Sequence, residues 1–436
     1  MKKLLLFVAL AAQALTAQAP DKAKLDAYFN ALEASGKWRG SVMLSQNGQP
    51  VYTRNVGMAN EQAGQKITDA SKFRIGSISK VFTSAMMLKA TEEKKLQLTD
   101  KLDKYYPTVP NAGKITLTDL LNHHSGIHNF TDDKAFFTYN TKPKTQADMV
   151  ALITKGGSDF EPGTKADYSN SNFVLLGYIL EKVYKKPYKD LLQEKIVKPL
   201  GLKNTYYGGK INPAANEAVS YKFGGSWAPE PETDMSIPGG AGAVVSNVAD
   251  LSRFIEALFA GKIISAASLG QMKTIKDGYG LGMFTIPFNE KTSYGHNGGI
   301  DGFSSMLGYF PEDKVTLAIT SNGSNYDGNE VALTLLNAAF GKPFEIPQFS
   351  TYAPNPEELE QLVGTYAAPG VPMKIMVTRK ESTLMAQATG QQQFPLDAVA
   401  RNQFEFKMAG LKLDFKPEVK QMTLKQGGGE FTFTKE

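Results

Sequence analysis

The 436-residue sequence contains no cysteine. Disulfides, thiolate nucleophiles and thiolate metal sites are therefore excluded. Histidine is scarce, with four in all, and three of them crowd into His123, His124 and His128. No Glu lies between His124 and His128, and Ser125-Gly126 would break the helix that a zinc-protease motif needs. That cluster reads as a structural turn. No basic block interleaved with aromatics is present, and a net charge of +5 is too slight to argue for nucleic acid. The apolar run Leu4 to Leu15 is too short to span a bilayer, which takes about 20 residues. Lys2-Lys3 precedes it and small residues follow through Ala19, the pattern of a secretory signal. Pro20 disfavours a cut after Ala19, so a leader over residues 1–17 and a periplasmic or secreted location are expected, with no cysteine to carry a lipid.

What is present suits two or three domains of ordinary soluble composition. Leu25, Tyr28, Phe29 and Leu32 recur at helical spacing. Trp38 to Ser45 and Val51 to Val56 read as strands joined through Asn47-Gly48, a hairpin signal. Helices are expected from Ser77, from Leu117 with Thr116 as N-cap, over Phe173 to Leu180, Ala249 to Phe259 and Asn329 to Phe340. A polar helical insertion from Phe130 to Pro162 would wall a site. Strands are expected over Gly280 to Ile286, Phe303 to Phe310 and Val315 to Ser321, with a glycine-rich stretch from Ser293 to Gly302 between the first two. Pro343 to Pro356, carrying four prolines, reads as a linker. Beyond it short alternating segments dominate: Met373 to Val377, Thr383 to Ala388, Phe404 to Met408, Leu411 to Phe415, Met422 to Gln426 and Phe431 to Thr434. The expected organisation is a mixed α/β (α+β) domain over residues 21–342, a linker over 343–356 and a small all-β barrel or sandwich over 357–436.

Three separated stretches carry the chemistry. Ser77 and Lys80 are three apart, so on a helix they share a face one turn from each other. A serine needs a neighbour to take its proton, and a lysine held beside it can hold or relay it. Tyr168 and Asn170 stand just before an apolar helix, where polar groups are either caps or site residues. His296-Asn297-Gly298 leads into Gly299, where the glycines let backbone N–H groups approach a ligand as oxyanion donors.

In that order, Ser77-x-x-Lys80, Tyr168-x-Asn170 and His296-Asn297-Gly298 resemble the serine β-lactamase and penicillin-binding protein superfamily, in particular the class C-like group of β-lactamases, D-stereospecific peptidases and esterases. Phe73-Arg74-Ile75-Gly76, the Leu120 to Gly126 segment and the Gly239 to Ser246 stretch support the likeness. The resemblance implies an antiparallel sheet flanked by helices with an all-helical subregion, and a lipocalin-like C-terminal module. It implies that Ser77 forms an acyl-enzyme and that the N–H groups of Ser77 and Gly299 make the oxyanion hole. Tyr168 would be the general base, with Lys80 lowering its pKa; Lys80 itself is the other candidate for that role. Asn170, His296, Asn297 and Gly298 would bind substrate, and no metal or cofactor would take part.

One departure matters: the third motif often opens on lysine, whereas here it opens on His296, only partly charged at neutral pH. The expected substrates are D-residue peptides or muropeptides and small esters. Slow β-lactam hydrolysis, or a sensor that acylates without turning over, is the alternative. The β module would contact a partner or cover the cleft.

Overall fold

The computed structural model describes residues 20–350 and 352–436, so the leader expected over residues 1–17 lies outside it. A six-stranded antiparallel sheet forms the frame. Its strands are β1 (Trp38–Gln46), β2 (Gln49–Val56), β3 (Phe284–Phe288), β4 (Lys291–Ile300), β5 (Phe303–Phe310) and β6 (Val315–Ser324), in the spatial order β3-β4-β5-β6-β1-β2. Strand β1 is buried along nearly its whole length because both faces are covered. Alternate side chains point to opposite faces. Val42 and Leu44 therefore meet the helix α1 (Lys22–Ala34), while Met43 joins the core on the other side.

That second core is built on α2 (Ser79–Glu92), α3 (Asn170–Tyr184) and α4 (Val248–Phe259). Every residue of α2 from Ser79 to Leu88 is buried. A helix buried on all sides belongs in the middle of a domain, and here it anchors the residues just before it. Phe82 of α2 stacks on Phe254 of α4, ring centroids 3.7 Å apart. Helix α5 (Gly328–Ala339) covers the α1 face of the sheet through Val331 and Leu335.

After a stretch without regular structure comes α6 (Pro356–Leu362), its N-cap Asn355 closing a capping box with Glu358. Eight antiparallel strands then close a barrel from Gly364–Ala368 to Gly429–Lys435. The barrel interior is filled by side chains such as Tyr366, Val377, Leu413, Met422 and Phe433. It is a packed core, as a barrel of this size allows.

Two expectations need correction. The glycine-rich stretch Ser293 to Gly302, left between strands by the sequence, is itself mostly strand: it forms β4, paired on one side with β3 and on the other with β5. Ladder bonding on both edges overrides the weak strand preference of glycine, and a Cβ at Gly295 would stand 1.8 Å from the Leu307 carbonyl oxygen. The strand expected from Gly280 begins instead at Phe284. In the barrel, Gly364–Ala368 and Phe394–Ala400 are further strands that the alternation pattern did not mark.

Candidate active site

Ser77 sits in a single 3₁₀ turn, Gly76–Ile78, that leads directly into α2. The turn is tight, with Gly76 at φ +49°, a conformation glycine adopts at no steric cost. Lys80 begins the next turn, and its Nζ lies 2.9 Å from Ser77 Oγ. From the far side, Tyr168 Oη donates to Ser77 Oγ at 2.8 Å. The hydroxyl is thus bracketed by an amine one helical turn on and a phenol 91 residues away in sequence.

The surroundings of Lys80 decide its state. It is fully buried, and the lost hydration drives its pKa well below the ordinary lysine range. Besides Ser77, its Nζ donates to Asn170 Oδ1 at 2.8 Å and to the Ala241 carbonyl at 2.9 Å. Asn170 is itself fixed by Asn129 and Thr131, whose oxygens accept from its amide at 3.2 and 3.1 Å. Burial also pushes the Tyr168 phenol up, against the lowering by its bond to Ser77. The sequence reading had the amine depressing the phenol. The same burial moves both groups toward their uncharged forms, and the rise of the phenol outweighs the lowering by Ser77.

Residues absent from the motifs hold this arrangement. His123 takes φ +62° and stacks its ring 4.5 Å from that of Tyr168, with Phe173 and Tyr279 packed around it. Its Nδ1 accepts the Ser169 N–H at 3.1 Å, and burial holds it neutral, well below the usual histidine range. His124 instead faces Asp277, and His128 faces Asp159 and Asp133. The three histidines diverge to separate partners.

The β4 edge meets Ser77 through close backbone contact. A Cβ on Gly76 would stand 2.8 Å from Gly299 N, and one on Gly298 would stand 2.0 Å from the Ile75 carbonyl oxygen. Ser305 Oγ donates to that same carbonyl at 2.8 Å. Ser77 and Gly299 both line a cleft of about 930 Å³ whose walls include Phe130, Phe137, Asn170, Ile237 and Ile300. His296 is only 4% exposed, its ring centroid 4.6 Å from Phe284 and 6.1 Å from Tyr168. Burial and the neighbouring Lys80 lower its pKa to about 3, so the partial charge expected from the sequence is absent and the ring is neutral. Asn297 is exposed on the strand, and β4 reaches the cleft at Gly299 and Ile300.

A buried ion pair locks this edge. Arg74 donates to Asp301 Oδ2 at 2.9 Å, and both side chains are at most 3% exposed. Asp301 Oδ1 accepts from the N–H and hydroxyl of Thr233, and Arg74 also donates to the Thr233 and Gly209 carbonyls. Arg74 also pairs with Glu232 at 3.0 Å, so losing Asp301 leaves the arginine with one carboxylate and the Thr233 donors unmet, which puts the cost at the low end for a broken buried pair, about 3 kcal/mol. Asp301→Ala is therefore expected to lower unfolding free energy by about that amount in a denaturant titration. A change under about 1 kcal/mol would mean that the pair is not the lock described.

Residues 25–341 match the family described as Beta-lactamase. The chain belongs to the beta-lactamase family. Within that family it is 26% identical over 314 residues to a teichoic acid D-alanine hydrolase of Staphylococcus aureus (strain MRSA252), covering 70% of this chain and 75% of that protein. Among solved structures, a D-stereospecific amidohydrolase from Streptomyces sp. aligns with 29% identity and a TM-score of 0.63, covering 74% of this chain and all (100%) of that one. A D-amino acid amidase from Ochrobactrum anthropi SV3 aligns with 27% identity and a TM-score of 0.64, over 72% and 98% of the two chains. This beta-lactamase-family protein is a serine hydrolase.

Proposed function

We propose that the protein is an exported hydrolase that cleaves D-amino-acid amides, D-residue peptides or small esters through an acyl-enzyme on Ser77. The observation that carries this reading is the bracketing of Ser77 Oγ by Lys80 Nζ and Tyr168 Oη, both within hydrogen-bond distance. A neutral amine has two N–H groups and a lone pair. In the structure Nζ donates to Ser77 Oγ as well; when the amine gives up that third proton, Asn170 Oδ1 and the Ala241 carbonyl keep the other two and the lone pair faces the Ser77 hydroxyl. Lys80 then acts as the general base for attack on the substrate carbonyl. Tyr168, kept protonated by burial, supplies its proton to the leaving amine or alkoxide and recovers one through Lys80. Water repeats the sequence in reverse to release the acid. The backbone N–H groups of Ser77 and Gly299 stabilise the developing oxyanion, where one such donor is worth about 3–4 kcal/mol. His296, buried and neutral, steadies the Tyr168 side of the site instead of meeting a substrate charge.

The same neutrality supports the substrate class. Lys222 is the one cation among the described residues lining the cleft, and it faces Glu230 at 3.9 Å. A substrate with a free carboxylate beside the scissile bond would find no unpaired cation there, whereas amides and esters carry no such charge. The D preference rests on the amidohydrolase and amidase neighbours and on the D-alanine hydrolase relative. The leader pattern of residues 1–17 supports export.

A panel of D- and L-alanine p-nitroanilides, a D-alanine ester, a peptide ending in free D-alanine and a cephalosporin tests the reading. The D-amide and ester are expected to exceed the free-carboxylate peptide in kcat/KM by about tenfold or more, roughly one missing charged contact. A clear preference for the free-carboxylate peptide or the cephalosporin, or a burst with no turnover on any member, would contradict it.

A further inference from the structure

The β barrel does not stand clear of the cleft. Gln392 lies on the turn between the barrel strands Thr383–Ala388 and Phe394–Ala400, and it lines the same cleft as Ser77 and Gly299. Its neighbours are spoken for: Gln387 donates to the Gln391 carbonyl, and Gln393 donates to Thr378 Oγ1 at 2.7 Å. The Gln392 side chain is exposed and has no hydrogen-bond partner among the described residues. A carboxamide offers both donors and acceptors, the complement of a peptide bond.

The turn is held in place from both domains. Lys37 pairs with Asp397 of the barrel, and Ser350 Oγ donates to the Val399 carbonyl at 2.8 Å. A short hairpin of the catalytic domain, Tyr221–Phe223 with Trp227–Pro229, bridges the two. At its tip a Cβ on Gly225 would stand 3.1 Å from Thr383 Cβ, so the hairpin touches the barrel. At its base a Cβ on Gly302 would stand 2.6 Å from the Tyr221 carbonyl oxygen, so it also touches the segment that follows Gly299. Lys222 in the first strand of this hairpin and Glu230 just after the second line the cleft alongside Gln392, with the exposed Phe137 among the same lining residues.

We propose that Gln392, with Lys222 and Glu230, forms a distal subsite that binds the peptide chain of an extended substrate beyond the residue being cleaved. The inference rests on the amide and ester hydrolase reading above and adds chain length to it. The barrel thereby sets which substrates are favoured while contributing nothing to the reacting atoms.

The test uses the full-length protein and two variants, Gln392→Ala and Gln392→Trp, the second filling the subsite with an indole. Each is assayed on D-alanine p-nitroanilide and on tetrapeptides carrying the same D-residue at the scissile bond, extended on one side or the other. The ratio of kcat/KM for tetrapeptide over single residue is expected to fall about fivefold to tenfold in Gln392→Ala, chiefly through KM, for one direction of extension. It should fall further in Gln392→Trp. An unchanged ratio in both variants and both directions overturns the proposal. Should the wild-type protein prefer L-substrates or the free-carboxylate peptide, the reading of substrate class fails. The length comparison is then run on the accepted series and still decides the subsite.

Discussion

Ser77→Ala is expected to abolish turnover of every amide and ester, with kcat lower by about 10⁴-fold or more and residual activity from binding and the oxyanion donors alone. Nothing else in the cleft can replace the nucleophile. Among the described residues that line it, Thr131, Thr141 and Thr233 carry hydroxyls, but none has the Lys80 and Tyr168 pair that Ser77 has. The variant should keep its fold, because Ser77 makes contacts only within the site and α2 is anchored by the apolar residues from Val81 to Leu88. Progress curves on a D-alanine ester measure this. Turnover within tenfold of wild type would remove Ser77 from the mechanism.

Lys80→Met should have the second largest effect, with kcat down about 10³-fold while the protein stays folded. Methionine fills the volume of the buried alkyl chain but brings no base to Ser77. The two acceptors left behind, Asn170 Oδ1 and the Ala241 carbonyl, lose their donor. The pH dependence separates the two candidate bases. Burial lowers the Lys80 pKa, so in the wild type kcat/KM rises with pH as that amine loses its proton, well below the ordinary lysine range. The raised Tyr168 pKa delays the alkaline fall beyond the ordinary tyrosine range. Tyr168→Phe, which removes only the proton donor, should keep the acid limb and lose about 10²-fold in rate. Were tyrosinate the base, Tyr168→Phe would instead erase the limb.

Stability carries the same signature. Below the ordinary lysine pKa the unfolded chain binds a proton at position 80 that the folded chain gives up at its lower pKa. Wild-type stability therefore gains a positive slope with pH between those two values. Lys80→Met should lack that contribution, so the wild-type minus mutant difference in unfolding free energy grows as pH rises through the window. Thermal unfolding across pH measures it.

Some of this site was legible from residue spacing. Ser77 and Lys80 are one helical turn apart, and a turn of helix is a local object that sequence describes well. The alternation of the barrel strands from Leu411 onward was equally plain, whereas Phe394–Ala400 was hidden by Pro395, which pairs with Met385 even so. Strand β4 was hidden by its glycines, whose place in the sheet is set by neighbours far along the chain. The Arg74–Asp301 lock spans 227 residues, and His123 reaches Tyr168 through a left-handed backbone that no neighbouring residue announces. Charge states were the least legible part. Burial lowers the pKa of both His296 and Lys80, a property of the folded packing and not of the residue types.

The central claim is that the oxygen of residue 77 takes the acyl group from substrate. A slow D-alanyl ester, quenched with acid during turnover and followed by intact mass and peptide mapping, tests this most directly. The account predicts one added acyl mass confined to the peptide containing Ser77, absent in Ser77→Ala. Turnover with no adduct on that peptide, or an adduct elsewhere that persists in Ser77→Ala, would contradict it.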